Sequence, residues 1–274
     1  MTSSPHTHTP RAGARPTTAR DWIPDQPGAW MMALSPALAG MVVGGPNLAT
    51  LWLLVAWTLC YCIQFTASRW LASRFSRRYL PPAATYAALL VVVGLPFLIV
   101  HPRVLWWAPL YLALAALSFA AAWLRRERTL WGNAVAIVAA CSMAMVVASF
   151  GEHAAGAAHP DLANGGPAAA VTFLLVQFGS VLFVKTMIRE RGKRPYLLAS
   201  WGWHAAMLAV AAGLWAMVGF GRLFIMPMIM CVWLLARAVA LPLIARRRRM
   251  KPIVAGMVEI VSSLLAFAAV VVTF

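Results

Sequence analysis

The chain has 274 residues, of which 62% are hydrophobic and 11% charged, with a mean hydropathy of +0.76. A soluble fold cannot hide so large an apolar share, and a disordered chain would not contain it. The formal net charge of +16 comes from 23 Lys and Arg against 7 Asp and Glu. These cations sit in short loops between apolar runs rather than on a foldable soluble unit, so no nucleic-acid partner is expected.

Residues 1–27 form a polar stretch rich in Pro, Thr, Ser and Arg. It lacks the apolar core of a signal peptide and reads as a disordered cytoplasmic tail. His6 and His8 within it are two ligands on a solvated segment and do not make a metal site. From residue 28 onward the apolar runs read as nine spans: Gly28–Gly45, Leu48–Ser68, Ala83–Val100, Val104–Leu124, Leu130–Phe150, Pro167–Met187, Tyr196–Phe220, Leu223–Ala245 and Pro252–Thr273. Runs of about 20 apolar residues cross a bilayer as helices. None shows the two-residue alternation of a barrel strand. The expected fold is therefore all-α, a polytopic membrane bundle of nine transmembrane helices over residues 28–274, after the tail 1–27.

Charge sets the expected orientation. The loops after the second, fourth, sixth and eighth spans carry Arg69, Arg74, Arg77 and Arg78; Arg125, Arg126 and Arg128; Lys185, Arg189, Arg191, Lys193 and Arg194; and Arg246 to Arg249 with Lys251. The alternate loops carry only Arg103 and Arg222. Basic loops stay on the cytoplasmic side, which places the N-terminus inside the cell and the C-terminus outside. The same cations are expected to attract anionic lipid head groups at that face. Cys60, Cys62, Cys141 and Cys231 lie inside apolar runs and read as small buried hydrophobes. The long outer loop, Gly151–Gly166, holds Glu152, His153, His159 and Asp161 at a spacing that matches no standard metal site.

Polar side chains inside hydrocarbon are costly and face a bundle interior or a watery cavity. Those in the spans are Gln64, Asn133, Gln177, His204, Arg237 and Glu259. At 1.5 Å per residue they fall mainly in the cytoplasmic half. That depth suggests a polar cavity open to the cytoplasm and walled by spans two and five to nine. Arg237 and Glu259 share a depth on sequential antiparallel spans. They read either as an ion pair fixing helix register or as an anion anchor and a proton acceptor. Met226, Met228 and Met230 do not share one face and read as packing. His204 and His101 are lone histidines rather than a haem pair.

Several segments carry a family resemblance. Trp22-Ile23-Pro24-Asp25-Gln26-Pro27-Gly28-Ala29-Trp30 resembles the opening motif of the YwiC-like family of bacterial integral membrane proteins, with Pro27 where the family usually has His. Glu127-Arg128-Thr129-Leu130 with Asn133, the stretch Val184 to Gly192, Trp203-His204-Ala205, Arg237 to Pro242, and Gly256 with Glu259-Ile260 are similar to that family as well. The resemblance implies a multi-pass protein of the bacterial plasma (inner) membrane and no particular activity. The architecture also resembles, more loosely, the UbiA superfamily of membrane prenyltransferases, whose loops after the second and sixth helices hold Asp-rich motifs for Mg²⁺. Here loop Arg69–Leu80 has no acid and loop Lys185–Pro195 has only Glu190, so Mg²⁺ chemistry is not expected and no metal site is assigned.

These features suggest a protein that binds a lipid or isoprenoid-type anion in a cytoplasm-facing cavity, as a diverged transferase-like protein without Mg²⁺ motifs. Lys185, Arg189 and Arg237 are the candidate anion-binding residues. Glu190, His204 and Glu259 are the candidate acid/base groups. The alternatives are a proton-coupled transporter of a small solute and a non-catalytic membrane scaffold. The sequence identifies no protein partner.

Overall fold

The computed structural model describes residues 18–24, 27–154, 165–247 and 252–274, and among these no strand occurs. In chain order the helices are α1 Ala19–Trp22, α2 Pro27–Gly44, α3 Leu48–Ala72, α4 Leu80–Val100, α5 Ala108–Trp123, α6 Leu130–Ala148, α7 Gly166–Val184, α8 Arg194–Met217, α9 Ile225–Arg247 and α10 Pro252–Thr273. A single π turn, Lys185–Arg189, extends α7. Among the described residues eight helices are long and apolar enough to cross a membrane, and they correspond to the second to ninth expected spans. The first expected span is a shorter apolar stretch, Gly28–Gly44. The protein is an all-α, multi-pass membrane bundle; the expected count of nine depends on that shorter helix.

Local chemistry sets several helix ends. Asn47 caps α3: its side chain accepts from the Thr50 N–H at 2.9 Å, and the Thr50 hydroxyl accepts from the Asn47 N–H at 2.9 Å. This reciprocal box satisfies two donors that a helix start leaves free. The Asn47 amide also donates to the Phe150 carbonyl at 2.8 Å, tying the start of α3 to the end of α6. Thr129 caps α6 by accepting from the Gly132 N–H.

The short helix α2 occupies the middle of the bundle. Ala37 and Ala39 are fully buried. A Cβ at Gly40 would lie 2.3 Å from the Ala144 carbonyl oxygen, and one at Gly44 would lie 2.6 Å from the Ala148 Cα. Gly40 and Gly44 are four apart, as are Ala144 and Ala148, so two small-residue faces let the backbones of α2 and α6 touch. In lipid, where hydrophobicity does not favour helix over tail, such close packing drives association.

Two groups of helices result. Helices α2, α6, α7, α9 and α10 share a core that includes Val43, Cys141, Phe173, Leu234 and Val270. Helices α3 and α4 join α2 and α6 through a second core around Leu53, Phe97, Met143, Val147 and Phe150, with Trp107 and Tyr111 packed against it. That second core lies at the end away from the basic loops. Of the cysteines, Cys62, Cys141 and Cys231 are buried and Cys60 is partly so.

The basic segments gather at the opposite end. Arg78 donates from Nε and a terminal nitrogen to Asp21 Oδ2 at 2.9 and 2.6 Å, and Arg69 lies 3.8 Å from the same carboxylate. Arg125 donates to the Ala72 carbonyl at 3.2 Å, Lys185 to the Arg128 carbonyl at 3.0 Å, and Arg191 to the Ala245 carbonyl. Part of the expected polar tail is therefore ordered: Asp21 is buried and Trp22 packs edge-on to Tyr86. His6 and His8 lie outside the described residues, as do His159, Asp161, Arg248, Arg249 and Lys251.

The α2–α6 contact yields a first prediction. Gly40→Ala forces a methyl into the Ala144 peptide and should destabilise the protein by about 2 kcal/mol or more. Gly202→Ala, where nothing lies within 4 Å, should be neutral or slightly stabilising. Thermal unfolding in one detergent compares the two.

Candidate ligand cavity

A cavity of about 680 Å³ lies between α3, the turn Pro102–Trp107 and α5 on one side and α2, α6 and α7 on the other. Its wall along α3 runs from Leu53 to Gln64, about 16 Å at 1.5 Å per residue. That is roughly half the ~30 Å hydrocarbon thickness, or one leaflet. The second core closes the far end with Leu53, Trp107, Met143 and Val146. Small residues keep the space open: Ala29 and Ala33 on α2, and Ala136, Ala139 and Ala140 on α6.

Most of the wall is apolar, and among the described residues no Asp, Glu, Lys, Arg or His lines it. Three carboxamides do line it: Gln64, Asn133 and Gln177. They sit about 5 to 12 Å from the basic ends of α3, α6 and α7. Gln64 donates to Ser118 Oγ at 3.0 Å and Ser68 Oγ at 3.2 Å, bridging α3 and α5. Asn133 makes no side-chain hydrogen bond among the described residues.

Gln177 on α7 is held by a carbonyl that a proline on α2 leaves free. Pro36, inside α2, has no N–H to give the carbonyl four residues earlier, Met32. Gln177 Nε2 supplies that donor at 2.9 Å. The bond fixes the amide orientation, since flipping it would set oxygen against oxygen. Gln177 Oε1 is then left buried with no partner, on a residue 4% exposed.

The six charged or imidazole candidates lie elsewhere, and none lines the cavity. Arg237 is 3% exposed; both terminal nitrogens are engaged, while its buried Nε has no hydrogen-bond partner among the described residues. It pairs with Glu259, donates to Ser180 Oγ at 3.0 Å, and lies 4.6 Å over the Phe183 ring. The pair joins α7, α9 and α10. His204 is fully buried on α8. Its Nδ1 lies 2.6 Å from the Ser200 carbonyl, which only accepts, so Nδ1 carries the proton. Its Nε2 has no partner and faces Gly179, where a Cβ would come within 2.9 Å. Lys185 is buried on the Arg128 carbonyl, and Arg189 is exposed. Glu190 bridges Lys193 at 2.7 Å, and that hydrogen bond holds its carboxyl below the ordinary value of 4.5. Glu190 is thus ionised at neutral pH and a poor general acid.

The structure brings Arg237, Glu259 and His204 into neighbouring positions among α7–α10 and leaves Lys185, Arg189 and Glu190 at the basic end. The expected cavity walled by spans two and five to nine is corrected. The observed one is walled by α2, α3, α5, α6 and α7, and α8, α9 and α10 take no part in it. Depth alone could not separate these cases, because the charged groups neutralise one another in helix contacts while the amides face open space. A smaller apolar cavity, about 260 Å³, lies among α7–α10 between Trp203, Met207, Met230 and Phe274.

The fold and its cavity define a multi-pass α-helical membrane protein with a neutral, apolar pocket. The family model described as YwiC-like protein matches residues 23–148, so the chain is similar to that family over that stretch. It is 27% identical over 206 residues to "Uncharacterized protein YwiC" of Bacillus subtilis (strain 168), which takes in 72% of this chain and 81% of that protein. It is 28% identical over 187 residues to an "Uncharacterized protein" of Haemophilus influenzae, covering 66% of this chain and 74% of the relative. No solved structure matches, so the looser likeness to the UbiA superfamily gains no support from a shared fold.

Two predictions concern the ion pairs. Arg237→Met strands Glu259 and should cost about 3–5 kcal/mol, whereas Arg237→Met with Glu259→Leu should recover most of that loss; thermal unfolding of the single and double variants measures it. The Asp21 carboxyl is pushed up by burial, but hydrogen bonds from the Thr18 N–H and Arg78 outweigh this and hold it below 3.8. A lowered carboxyl stabilises fully above the unfolded value and loses its contribution as pH falls through the folded one. A spin label at Ile23→Cys should therefore be restrained at pH 6 and mobile well below 3.8, and Asp21→Asn should leave it mobile at both.

Proposed function

We propose that this YwiC-like protein binds the apolar chain of a lipid or isoprenoid-type amphiphile in the cavity between its two helix groups, with the polar end toward the basic loops. The observation that carries this reading is a slot one leaflet deep, about 680 Å³ in volume, apolar along its wall and amide-lined toward the basic end. Pockets of roughly 300–1,000 Å³ with a few placed polar groups are the usual form of small-ligand sites.

Binding fits better than prenyl transfer. Ionising a diphosphate needs metal-holding acids, and the loop Lys185–Pro195 offers only Glu190, already paired with Lys193. Proton-coupled transport has weaker support, because Arg237 and Glu259 hold each other and neither lines a cavity. Orientation follows the same line. With the basic segments cytoplasmic, as loop charge favours, the N-terminus lies inside a bacterial plasma membrane and the slot opens from the inner leaflet. Lys185, Arg189 and the neighbouring loop cations then meet anionic lipid heads at the surface instead of a ligand in the slot.

Native mass spectrometry of the protein released from detergent tests the reading. The wild type should carry a co-purified amphiphile, and Ala136→Trp, which fills the slot, should lose it. A wild type that is consistently empty, or an equal load in the variant, overturns the proposal.

A further inference from the structure

The ends of α3 and α5 hold a feature that closing a helix does not explain. Both helices stop at the basic end, at Ala72 and Trp123. Each closes in the same way. In α3 the Arg74 N–H donates to the Leu71 carbonyl at 3.0 Å and the Phe75 N–H to the Trp70 carbonyl at 2.9 Å. In α5 the Arg125 N–H donates to the Ala122 carbonyl at 3.0 Å and the Arg126 N–H to the Ala121 carbonyl at 2.7 Å. Such an end sets one residue in the left-handed region, and that residue is usually glycine. Here it is arginine both times, with φ of 58° at Arg74 and 54° at Arg125, and Phe75 follows at 64°. A side chain is strained in this region. Three of the four non-glycine residues with positive φ among the described residues sit at these two ends.

The two arginines also exchange places. The Arg74 guanidinium lies 3.9 Å over the ring of Trp123, the last residue of α5. Arg125 Nε donates at 3.2 Å to the carbonyl of Ala72, the last residue of α3. Phe75 packs between Trp70 and Trp123, with ring centres 4.9 and 5.7 Å away. These contacts aim both guanidinium groups across one gap and leave their terminal N–H groups unspent. Both side chains are exposed, and among the described residues no carboxylate pairs with either. Asp21 belongs to Arg78 and Arg69. Glycine would close either helix with less strain, and Arg69 already places a cation in the last turn of α3. What glycine cannot supply is a pair of planar forks, and such forks match phosphate oxygens. Tryptophans beside them suit the head-group level of a membrane.

We propose that Arg74 and Arg125 form a binding site for a phosphate group, that of a phospholipid head at the basic face, with the exposed Phe75 beside it. The site singles out two of the loop cations, which loop charge alone treats alike. It is separate from the slot, because Arg74, Phe75, Trp123 and Arg125 do not line that cavity.

Glycine substitutions test it, since glycine suits the backbone at both positions while removing the guanidinium. The probes are dioctanoyl phosphatidylglycerol, dioctanoylglycerol and glycerol 3-phosphate. Each is titrated into the purified full-length protein in non-ionic detergent, with binding read by native mass spectrometry and by the shift in unfolding temperature. The phospholipid should bind most tightly. Arg74→Gly and Arg125→Gly should each weaken it about tenfold, the span of one charge-assisted hydrogen bond. Arg194→Gln, an equal loss of charge at an exposed position on α8, should leave it within about twofold. An equal loss in Arg194→Gln reduces the effect to diffuse surface charge and overturns the proposal. So does unchanged binding in both glycine variants, which makes the arginines fasteners between α3 and α5 and nothing more. Dioctanoylglycerol binding as tightly as the phospholipid overturns the role of phosphate, and glycerol 3-phosphate doing so overturns the lipid as its source. Binding that Ala136→Trp abolishes and both glycine variants keep assigns the phospholipid to the slot, which sinks this site and leaves the cavity reading standing.

Discussion

A backbone carbonyl that loses its helical partner inside hydrocarbon has no water to turn to, and this constraint organises the bundle. Prolines create the problem at known positions, each freeing the carbonyl four residues earlier. Pro36 frees Met32, and Gln177 on α7 donates to it. Pro242 frees Ala238, and the Trp201 indole on α8 donates to it at 2.9 Å. Both repairs come from another helix. A break in one ladder therefore becomes a cross-link, joining α2 to α7 and α9 to α8. In lipid such bonds matter because apolar contact alone does not favour helix over lipid tail.

The same constraint separates the charged groups from the cavity. A buried charge is tolerable only when paired and hydrogen-bonded. Arg237 meets that demand with Glu259, Ser180 and the face of Phe183, which consumes the space around it. A carboxamide carries no such demand, so an amide such as Gln177 can be left partly unsatisfied in the bundle at a cost of about 1–3 kcal/mol. Charged side chains thus end up as fasteners among α7–α10 and at the basic end. Neutral amides end up lining the slot.

Much of this was legible in the residues. Apolar runs gave the spans, and alternating loop charge grouped the basic segments at one end, where Arg78, Arg125, Lys185 and Arg191 do meet neighbouring elements. The short inventory of intramembrane polar groups contained Gln64, Asn133 and Gln177. What depth could not supply was helix rotation, and rotation decides whether a group faces a partner or a cavity. Ranking by charge favoured Arg237 and Glu259, yet strong charge is what drives a side chain to a protein partner. Two signals were present and unread. Gly40 and Gly44, spaced like Ala144 and Ala148, mark the α2–α6 contact. Pro36 guarantees a carbonyl in need of a donor, though not which helix provides it. Asp21 shows the limit of composition: a polar segment reads as solvated until one acid finds Arg78 and Arg69 together.

The cavity itself follows from where the two helix groups are fastened. At the far end the Leu53–Phe97–Met143–Phe150 core binds α3 and α4 to α2 and α6. At the basic end Gln64 grips Ser118 and Arg125 grips Ala72, two bonds that hold α3 to α5 on one side of the gap. Between these points α2 and α6 present alanines across the gap, too short to meet α3 and α5. Larger residues on those faces would have closed the interface and gained dispersion contacts. Alanine at five positions on α2 and α6 instead leaves the gap open beyond the far-end core.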